Sequence, residues 1–505
     1  MKKQISGGAV LSFVAQGISV VIGLLYTPVM IKILGQNEYG LYQLVQSVVN
    51  YLSLMNFGFS AAYIRYYSLA KSNKDEEEIA NINGMFLKIF LMISLLSMLG
   101  GGILFANIRI LGTHLTDADY VIARELLIIM VINLAVSFPN CLFTAYLSAN
   151  ERFIFQKLIG ILANILVPAI TVPLLLYGYG SVGVVSVTLF LTIMRLVCSI
   201  WYCVKKLSIR INIRHTDRKI FENLLEYTFF IFLSDVVDQL NTNVDKFLLG
   251  RLIGAVSVAI YSVGFSLRQY YLIASWIIPE IYIPETNRVT IEEKDDAKLQ
   301  ALFVKTGRYN NYICLLILSG FFLVGRQFIQ LWVGAGYENS YYICIILMIA
   351  GYVPAVQTLG VNIQNAKNMH RTRSVVYFVI ACINVVLSIL LIKRWGEIGT
   401  AIGTLIAVLI GNGIFMNYYY YKFIKLDIFS FWKEMLKWIA PASALFVLAH
   451  FVVRQLCIDS WLKIAAFAMV YSFAYLVLLW CIGIGEQDKT KIRQGIKKAI
   501  KRIEA

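Results

Sequence analysis

Residues 7–34 read GGAVLSFVAQGISVVIGLLYTPVMIKIL, with Lys32 the only charged residue in the run. A membrane-spanning helix needs about 20 apolar residues in succession, and this stretch supplies them without a charged face. It is too long for the core of a signal peptide, and no small-residue cleavage site follows it. It is therefore expected to remain as the first membrane helix. Runs of the same kind recur along the chain, near 39–70, 80–108, 119–148, 153–177, 181–204, 220–250, 255–286, 298–332, 339–364, 373–394, 398–421, 431–454 and 460–482. Bulk composition agrees. Of 505 residues, 59% are hydrophobic and 15% charged, where a soluble chain is nearer half apolar and a quarter charged. The mean hydropathy is +0.71. The expected fold class is an all-α polytopic membrane protein with about fourteen transmembrane helices.

The formal charge of +16 is set between and after the apolar runs, which points to membrane topology rather than nucleic acid. If the N-terminus lies inside, the cytoplasmic segments carry Lys2, Lys3, Lys71, Lys74, Arg152, Lys157 and the basic loop from Lys205 to Lys219. They also carry Arg288, Lys294, Lys298, Lys367, Arg371, Arg373, Lys422, Lys425 and the cations from Lys489 to Arg502. The outer loops hold only Arg109, Arg251, Arg326, Lys393, Arg394 and Arg454. This asymmetry places both termini in the cytoplasm and requires an even number of helices. The longest connection, 204–219, leaves no room for a soluble catalytic domain.

Enzyme signatures are missing. The chain has no P-loop, no HExxH and no GxSxG, so neither ATP hydrolysis by a phosphate cradle nor hydrolytic catalysis is expected. His114, His215, His370 and His450 are scattered, and the eight cysteines fall almost entirely inside apolar segments without a CxxC. They read as buried hydrophobes, and no metal site or resident cofactor is expected.

Two stretches repeat. Lys32–Tyr42 (KILGQNEYGLY) overlays Arg251–Tyr261 (RLIGAVSVAIY) at a separation of 219 residues, matching Gly35 with Gly254 and Tyr42 with Tyr261. Tyr179-Gly180-Ser-Val-Gly183 overlays Trp395-Gly396-Glu-Ile-Gly399 at 216, and Thr188 then meets Thr404. The expected organisation is an N-lobe of six helices over 1–204, a basic cytoplasmic linker over 205–219 and a C-lobe of six helices over 220–425. Two further helices over 426–483 and a basic amphipathic tail over 484–505 follow. The tail lies on the inner membrane surface or stays solvated. Six helices per repeat relate the lobes by an axis along the membrane normal, around a central cavity.

Polar side chains at membrane depth line single helix faces. They are Ser12, Gln16, Ser19 and Thr27 on the first helix, and Gln43, Gln46, Asn50 and Ser53 on the second. Asp235, Asp238, Thr242 and Asp245 follow on the seventh, with Asn241 and Asn243 beside them, and Tyr261, Arg268 and Ser275 on the eighth. Under the repeat these four helices face one cavity, lined by Gln16, Asn50, Asn241 and Tyr261. Helix–helix hydrogen bonding also explains the neutral groups. A charge near the bilayer centre costs roughly 2.5–3.5 kcal/mol. Asp235, Asp238 and Arg268 therefore form a structural ion pair or serve transport. Asp235, Asp238 and Asp245 are the carboxylates expected to couple H⁺ or Na⁺. Arg65, Lys88 and Arg195 either snorkel to the interface or meet an anionic headgroup.

Ile33-Leu-Gly-Gln-Asn-Glu-Tyr-Gly-Leu-Tyr42, Leu233-Ser-Asp235, Asn243-Val-Asp-Lys-Phe-Leu-Leu-Gly250, Phe328-Ile-Gln-Leu-Trp-Val-Gly334 and Asn150-Glu-Arg-Phe153 resemble segments of the O-antigen and capsule repeat-unit flippases. These belong to the multidrug/oligosaccharidyl-lipid/polysaccharide exporter superfamily. The resemblance implies two six-helix lobes around a V-shaped cavity and alternating access in a bacterial plasma membrane. It implies an undecaprenyl-diphosphate-linked oligosaccharide as substrate. Arg268, Arg65, Lys88 and Arg195 would be the headgroup-binding cations. It further implies a monomer working beside polysaccharide polymerase and glycosyltransferases, in contact with membrane lipids and no nucleic acid. One departure stands out: family members carry cations in the first helix, and this chain has none between Gly7 and Ile31. Rival readings are a cation-coupled multidrug antiporter, a flippase for lipid II or a teichoic-acid precursor, and a membrane-embedded enzyme or scaffold.

Overall fold

A computed structural model of the chain describes residues 2–214, 218–367, 369–456, 458–484 and 489–490. Among these the secondary structure is helical, with no strand. The helices are α1 (Lys2–Leu52), α2 (Phe59–Ser72), α3 (Glu76–Ala106), α4 (Asp117–Ala149), α5 (Phe153–Leu176), α6 (Gly180–Lys205), α7 (Arg218–Leu252) and α8 (Ala255–Arg288). They continue as α9 (Asp296–Val333), α10 (Glu338–Val356), α11 (Thr358–Ala366), α12 (His370–Val408), the single turn α13 (Asn417–Tyr419), α14 (Ile428–Gln455) and α15 (Trp461–Leu478). The basic tail falls almost wholly outside the described residues, as do residues 215–217 of the linker and Cys457. The seven described cysteines are free.

Ten stretches are long and apolar enough to cross a membrane, and the chain is an all-α polytopic membrane protein. The expected count of about fourteen crossings is not reached by these ten. Val14–Ser72 and Thr372–Ile424 run to 59 and 53 residues, each enough for two crossings. The long helices α7 and α8 are too polar to count by hydropathy, because they carry Asp235, Asp238, Asp245, Lys246 and Arg268.

By packing, the described chain forms two compact units. The first comprises 1–266 with 370–407, and the second 267–369 with 408–505. In the first, Tyr63, Phe86, Phe90, Leu142 and Cys203 are fully or almost fully buried together. Tyr63 donates to Asn83 at 2.6 Å, and Asn83 donates to the Arg210 carbonyl at 2.8 Å. The basic linker is thereby pinned to α3, with Asn212 N–H donating to the Ala80 carbonyl at 2.9 Å. Gly84 sits under this contact, since a Cβ there would lie 1.8 Å from the Asn212 oxygen. In the second unit, Trp438 donates to the Tyr475 hydroxyl at 2.6 Å, and that hydroxyl donates to the Tyr312 carbonyl at 2.9 Å. Residues 409–416 and 420–424 are wound as π-helix. Asn417, between them, donates to the carbonyls of Asn412 and Gly413 at 2.9 and 2.8 Å, satisfying groups the widened turn leaves over.

The sequence repeat has a backbone counterpart. Gly35 (φ 74°), Gly254 (φ 132°), Gly180 (φ 59°) and Gly396 (φ 56°) all occupy the left-handed region, which glycine enters without a Cβ penalty. Gly35 and Gly396 are pivots inside α1 and α12. Three residues after Gly35, Glu38 Oε1 accepts from the Ser181 backbone N–H and hydroxyl, each at 2.6 Å. Three residues after Gly254, the Ser257 hydroxyl donates to Glu397 Oε2 at 3.5 Å. Separations of 219 and 216 carry Glu38 onto Ser257 and Ser181 onto Glu397. The same clasp is built twice with its two residues exchanged. The expected helix 39–70 is interrupted, because Ser53–Asn56 tightens to a 3₁₀ turn and Phe57 and Gly58 take positive φ. The expected helix 339–364 breaks at Gln357.

Candidate substrate and ion-coupling site

Beyond Gly35, α1 presents Gln43, Gln46 and Asn50 towards α7, and Ser53 follows in the 3₁₀ turn after it. Asn50 donates to Asn243 at 3.3 Å, Gln239 to Ser53 at 3.4 Å and Lys246 to Gln43 at 3.2 Å. Gln46 steadies Asn50 at 2.8 Å, and Asn243 donates to Gln239 at 2.6 Å. The result is a polar seam of amides and a hydroxyl along two helices of the first unit. Lys246 also lies over the Phe265 ring at 5.3 Å, so its charge is met by an amide oxygen and a π face.

Asp245 sits one residue from Lys246 and turns away from the seam. It is 2% exposed. Tyr261 donates to it at 2.7 Å, Ser388 at 3.0 Å and Thr404 at 3.1 Å. Thr404 and Ser388 also reach Asn384 Oδ1, at 3.2 and 3.4 Å. One carboxylate, three hydroxyls and one amide oxygen, drawn from α7, α8 and both halves of α12, thus converge on one point. Hard oxygens with a single negative charge suit a proton or a monovalent cation. Among the described residues no cluster of three His, Cys, Asp or Glu could hold a multivalent metal. The 219-residue shift carries Asp245 onto Tyr26, so the carboxylate stands in one half of the repeat and a phenol in the other.

Of the other expected residues, Asp235 is half-buried and Asp238 exposed on α7. Arg373, at the start of α12, lies over Tyr377 at 5.6 Å. One turn below, Ser234 and Ser374 meet at 3.1 Å. Arg268 belongs to the second unit, where it donates to Gln269 at 2.8 Å and lies against α10 at Gly351. Gln16 is half-buried on α1, Asn241 exposed on α7, Arg65 exposed on α2 and Lys88 half-buried on α3. Arg195 is exposed on α6 and lines a pocket with Lys157. Tyr261 is fully buried against Asp245. Sequence reasoning passed over Ser388 and Asn384, and counted Arg373 only among the cytoplasmic cations. The match of Thr188 with Thr404 marked one partner of Asp245 without revealing its role, since Thr188 bonds back to the Val184 carbonyl of its own helix at 2.8 Å.

Over residues 6–278 the chain matches the protein family described as "Polysaccharide biosynthesis protein". It is 23% identical over 504 residues to the "Uncharacterized membrane protein EpsK" of Bacillus subtilis, covering 95% of this chain and 96% of that protein. It is 21% identical over 381 residues to the "Putative O-antigen transporter" of Shigella flexneri, covering 75% and 88%. The solved structure "Lipid II flippase MurJ, inward closed conformation" shares its fold, with a TM-score of 0.69 at 16% identity over 93% of this chain and 97% of that one.

Proposed function

Because the chain belongs to the polysaccharide biosynthesis protein family, we propose that it is a flippase for an undecaprenyl-diphosphate-linked oligosaccharide repeat unit. It carries the unit from the inner to the outer leaflet of a bacterial plasma membrane by alternating access, with both termini cytoplasmic. The family match over 6–278 is the observation that carries this reading, and the similarity to the Shigella flexneri protein over 381 residues supports it. Cations on the apolar helices, Arg65, Lys88, Arg195 and Arg268, suit a cargo whose headgroup is a diphosphate. The flippase works as a monomer and hands its cargo to the polymerase outside.

In this mechanism the α1–α7 seam parts and re-forms. Its polar groups exchange protein hydrogen bonds for water at little net cost. Two negative charges leaving an inside-negative cell gain about 4–5 kcal/mol per 100 mV if they cross the whole field. Asp245 adds the ion gradient. With a proton or Na⁺ bound its charge is neutralised, and without one the carboxylate relies on the hydroxyls of Tyr261, Ser388 and Thr404. Release and rebinding therefore change how tightly α7, α8 and α12 are drawn together.

The test is depletion of the protein in its own cells, followed by analysis of lipid-linked intermediates. Complete repeat units collecting on the inner leaflet, with surface polymer lost, are expected. If lipid II or a teichoic-acid precursor collects instead, the cargo is corrected. Unchanged lipid intermediates with new sensitivity to cationic drugs would replace this reading with the antiporter.

A further inference from the structure

Residues 107–116 connect α3 to α4, and on the topology proposed above they lie outside the membrane. Connections of this kind ordinarily run over the surface. This one is seated. Ile108 and Leu111, in a 3₁₀ turn, and Leu115 beyond it are buried. Asp119, in the first turn of α4, closes a capping box with Thr116. One of its oxygens accepts from the Thr116 backbone N–H at 2.9 Å and from the Thr116 hydroxyl at 2.8 Å. The other accepts from Asn37 at 2.6 Å, two residues past the Gly35 pivot of α1. Tyr120 donates to the Gly112 carbonyl.

What the segment covers is the end of α7, within the same unit. Arg251, in the last turn of α7, donates to the Ile110 carbonyl at 3.3 Å. Gly112 is buried against the α7 backbone, where a Cβ would lie 2.4 Å from the Gly250 carbonyl oxygen. A Cβ on Gly254, in the turn to α8, would lie 3.8 Å from the Cβ of His114. The neighbouring end of the α1–α7 seam is closed as tightly, since a Cβ on Gly250 would lie 2.3 Å from Leu44. In the other half of the repeat, α9 passes to α10 through residues 334–337 alone, so the long connection belongs to one half. Its holds are unequal. Among the described residues, three hydrogen bonds tie it to the start of α4 and one ties it to α7. If the seam parts, the segment stays with α4, and the Arg251 bond and the Gly112 contact are what break.

We infer that residues 107–116 are an external latch, which seats on the end of α7 to hold the α1–α7 seam shut and lifts off when the seam parts. The inference rests on the transport reading for the parting of the seam and for the side concerned, and on no particular cargo. Its test therefore needs no transport. Asn243→Cys places a thiol in the seam, at a position 3% exposed, as a reporter in the full-length protein. Its rate of labelling by a membrane-impermeant maleimide is measured in right-side-out vesicles, against the same protein without the reporter. Arg251→Ala removes the latch's bond to α7, and Gly112→Ala pushes it off the Gly250 carbonyl. Each should raise the labelling rate about fivefold. Gly102→Ala, in open space near the end of α3, should leave it unchanged. His114→Cys with Gly254→Cys sets two Cβ atoms at the separation of about 3.8 Å that a disulfide spans. Oxidation of that pair should lower the rate below wild type, and reduction should restore it. The positive φ of Gly254 strains a cysteine there, so the Gly254→Cys single variant is its reference. Added to Arg251→Ala, the oxidised pair should bring the raised rate back down, a rescue that a misfolded protein would not show. Labelling that is the same in Arg251→Ala, Gly112→Ala and wild type would overturn the latch. A response confined to inside-out vesicles would overturn its external placement, and neither result depends on which lipid the protein carries.

Discussion

Removing the clasp between Glu38 and Ser181 perturbs one pair of side chains with a calculable outcome. Glu38 Oε1 accepts two hydrogen bonds of 2.6 Å from Ser181, which is fully buried at the start of α6. Bonds to a charged acceptor are worth about 1.5–3 kcal/mol each, and an anion at a helix N-terminus adds about 0.3–1 kcal/mol. With the carboxylate half-exposed, the low end applies, so Glu38→Ala should destabilise the protein by about 3 kcal/mol. Ser181→Ala loses the hydroxyl bond but keeps the backbone one, and should cost about 1.5 kcal/mol. The hydroxyl bond cannot be lost twice. The double alanine variant should therefore cost little more than Glu38→Ala, a coupling of about 1.5 kcal/mol. A fourth variant, Glu38→Ser with Ser181→Glu, copies the arrangement of Ser257 and Glu397 into the first half and should recover about half the loss. Unfolding of the full-length protein in mixed dodecyl maltoside and dodecyl sulfate micelles, followed by circular dichroism, measures all four. Additive single costs, with a coupling below about 0.5 kcal/mol, would refute the clasp. So would an exchange variant no more stable than the double alanine.

Two further outcomes follow from the same geometry. Asp245→Asn keeps the size of the side chain and removes its charge. In proteoliposomes it should slow transport and flatten its response to Na⁺ or pH, while Asp238→Asn, at an exposed position of α7, should keep that response. Undiminished ion dependence in Asp245→Asn would move the coupling elsewhere. Gly40→Val should cost about 3 kcal/mol or abolish folding, because a Cβ at Gly40 would lie 1.8 Å from the Ala255 carbonyl oxygen. Gly17→Ala, with nothing within 4 Å, should leave the thermal midpoint within error or raise it slightly.

How much was legible in the sequence depended on what each feature demands of a residue. A positive φ demands glycine, so Gly35, Gly254, Gly180 and Gly396 stayed aligned and betrayed the repeat. The clasp demands only that one partner be a carboxylate and the other a hydroxyl. Its residues could trade places, and position-by-position comparison saw two mismatches. A buried acid is conspicuous in an apolar chain, and Asp245 was found. Its partners Ser388 and Thr404 were hidden, because hydroxyls in membrane helices usually bond to their own backbone, as Thr188 does. The breaks at Ser53–Gly58 and Gln357 went unread for a different reason. Apolar periodicity continues through them, and only local turn geometry stops the helix.

The carboxylate that faces a phenol across the repeat has an arithmetical consequence. A frame copied twice has been given one acid, at Asp245, where its other copy carries Tyr26. A cycle driven through that acid counts a single ion. If that ion enters while a doubly charged cargo leaves, each turnover moves three elementary charges, worth about 7 kcal/mol per 100 mV. The ratio of charge moved to cargo delivered is then a whole number fixed by the broken symmetry, and a current measured alongside a lipid count reads it directly.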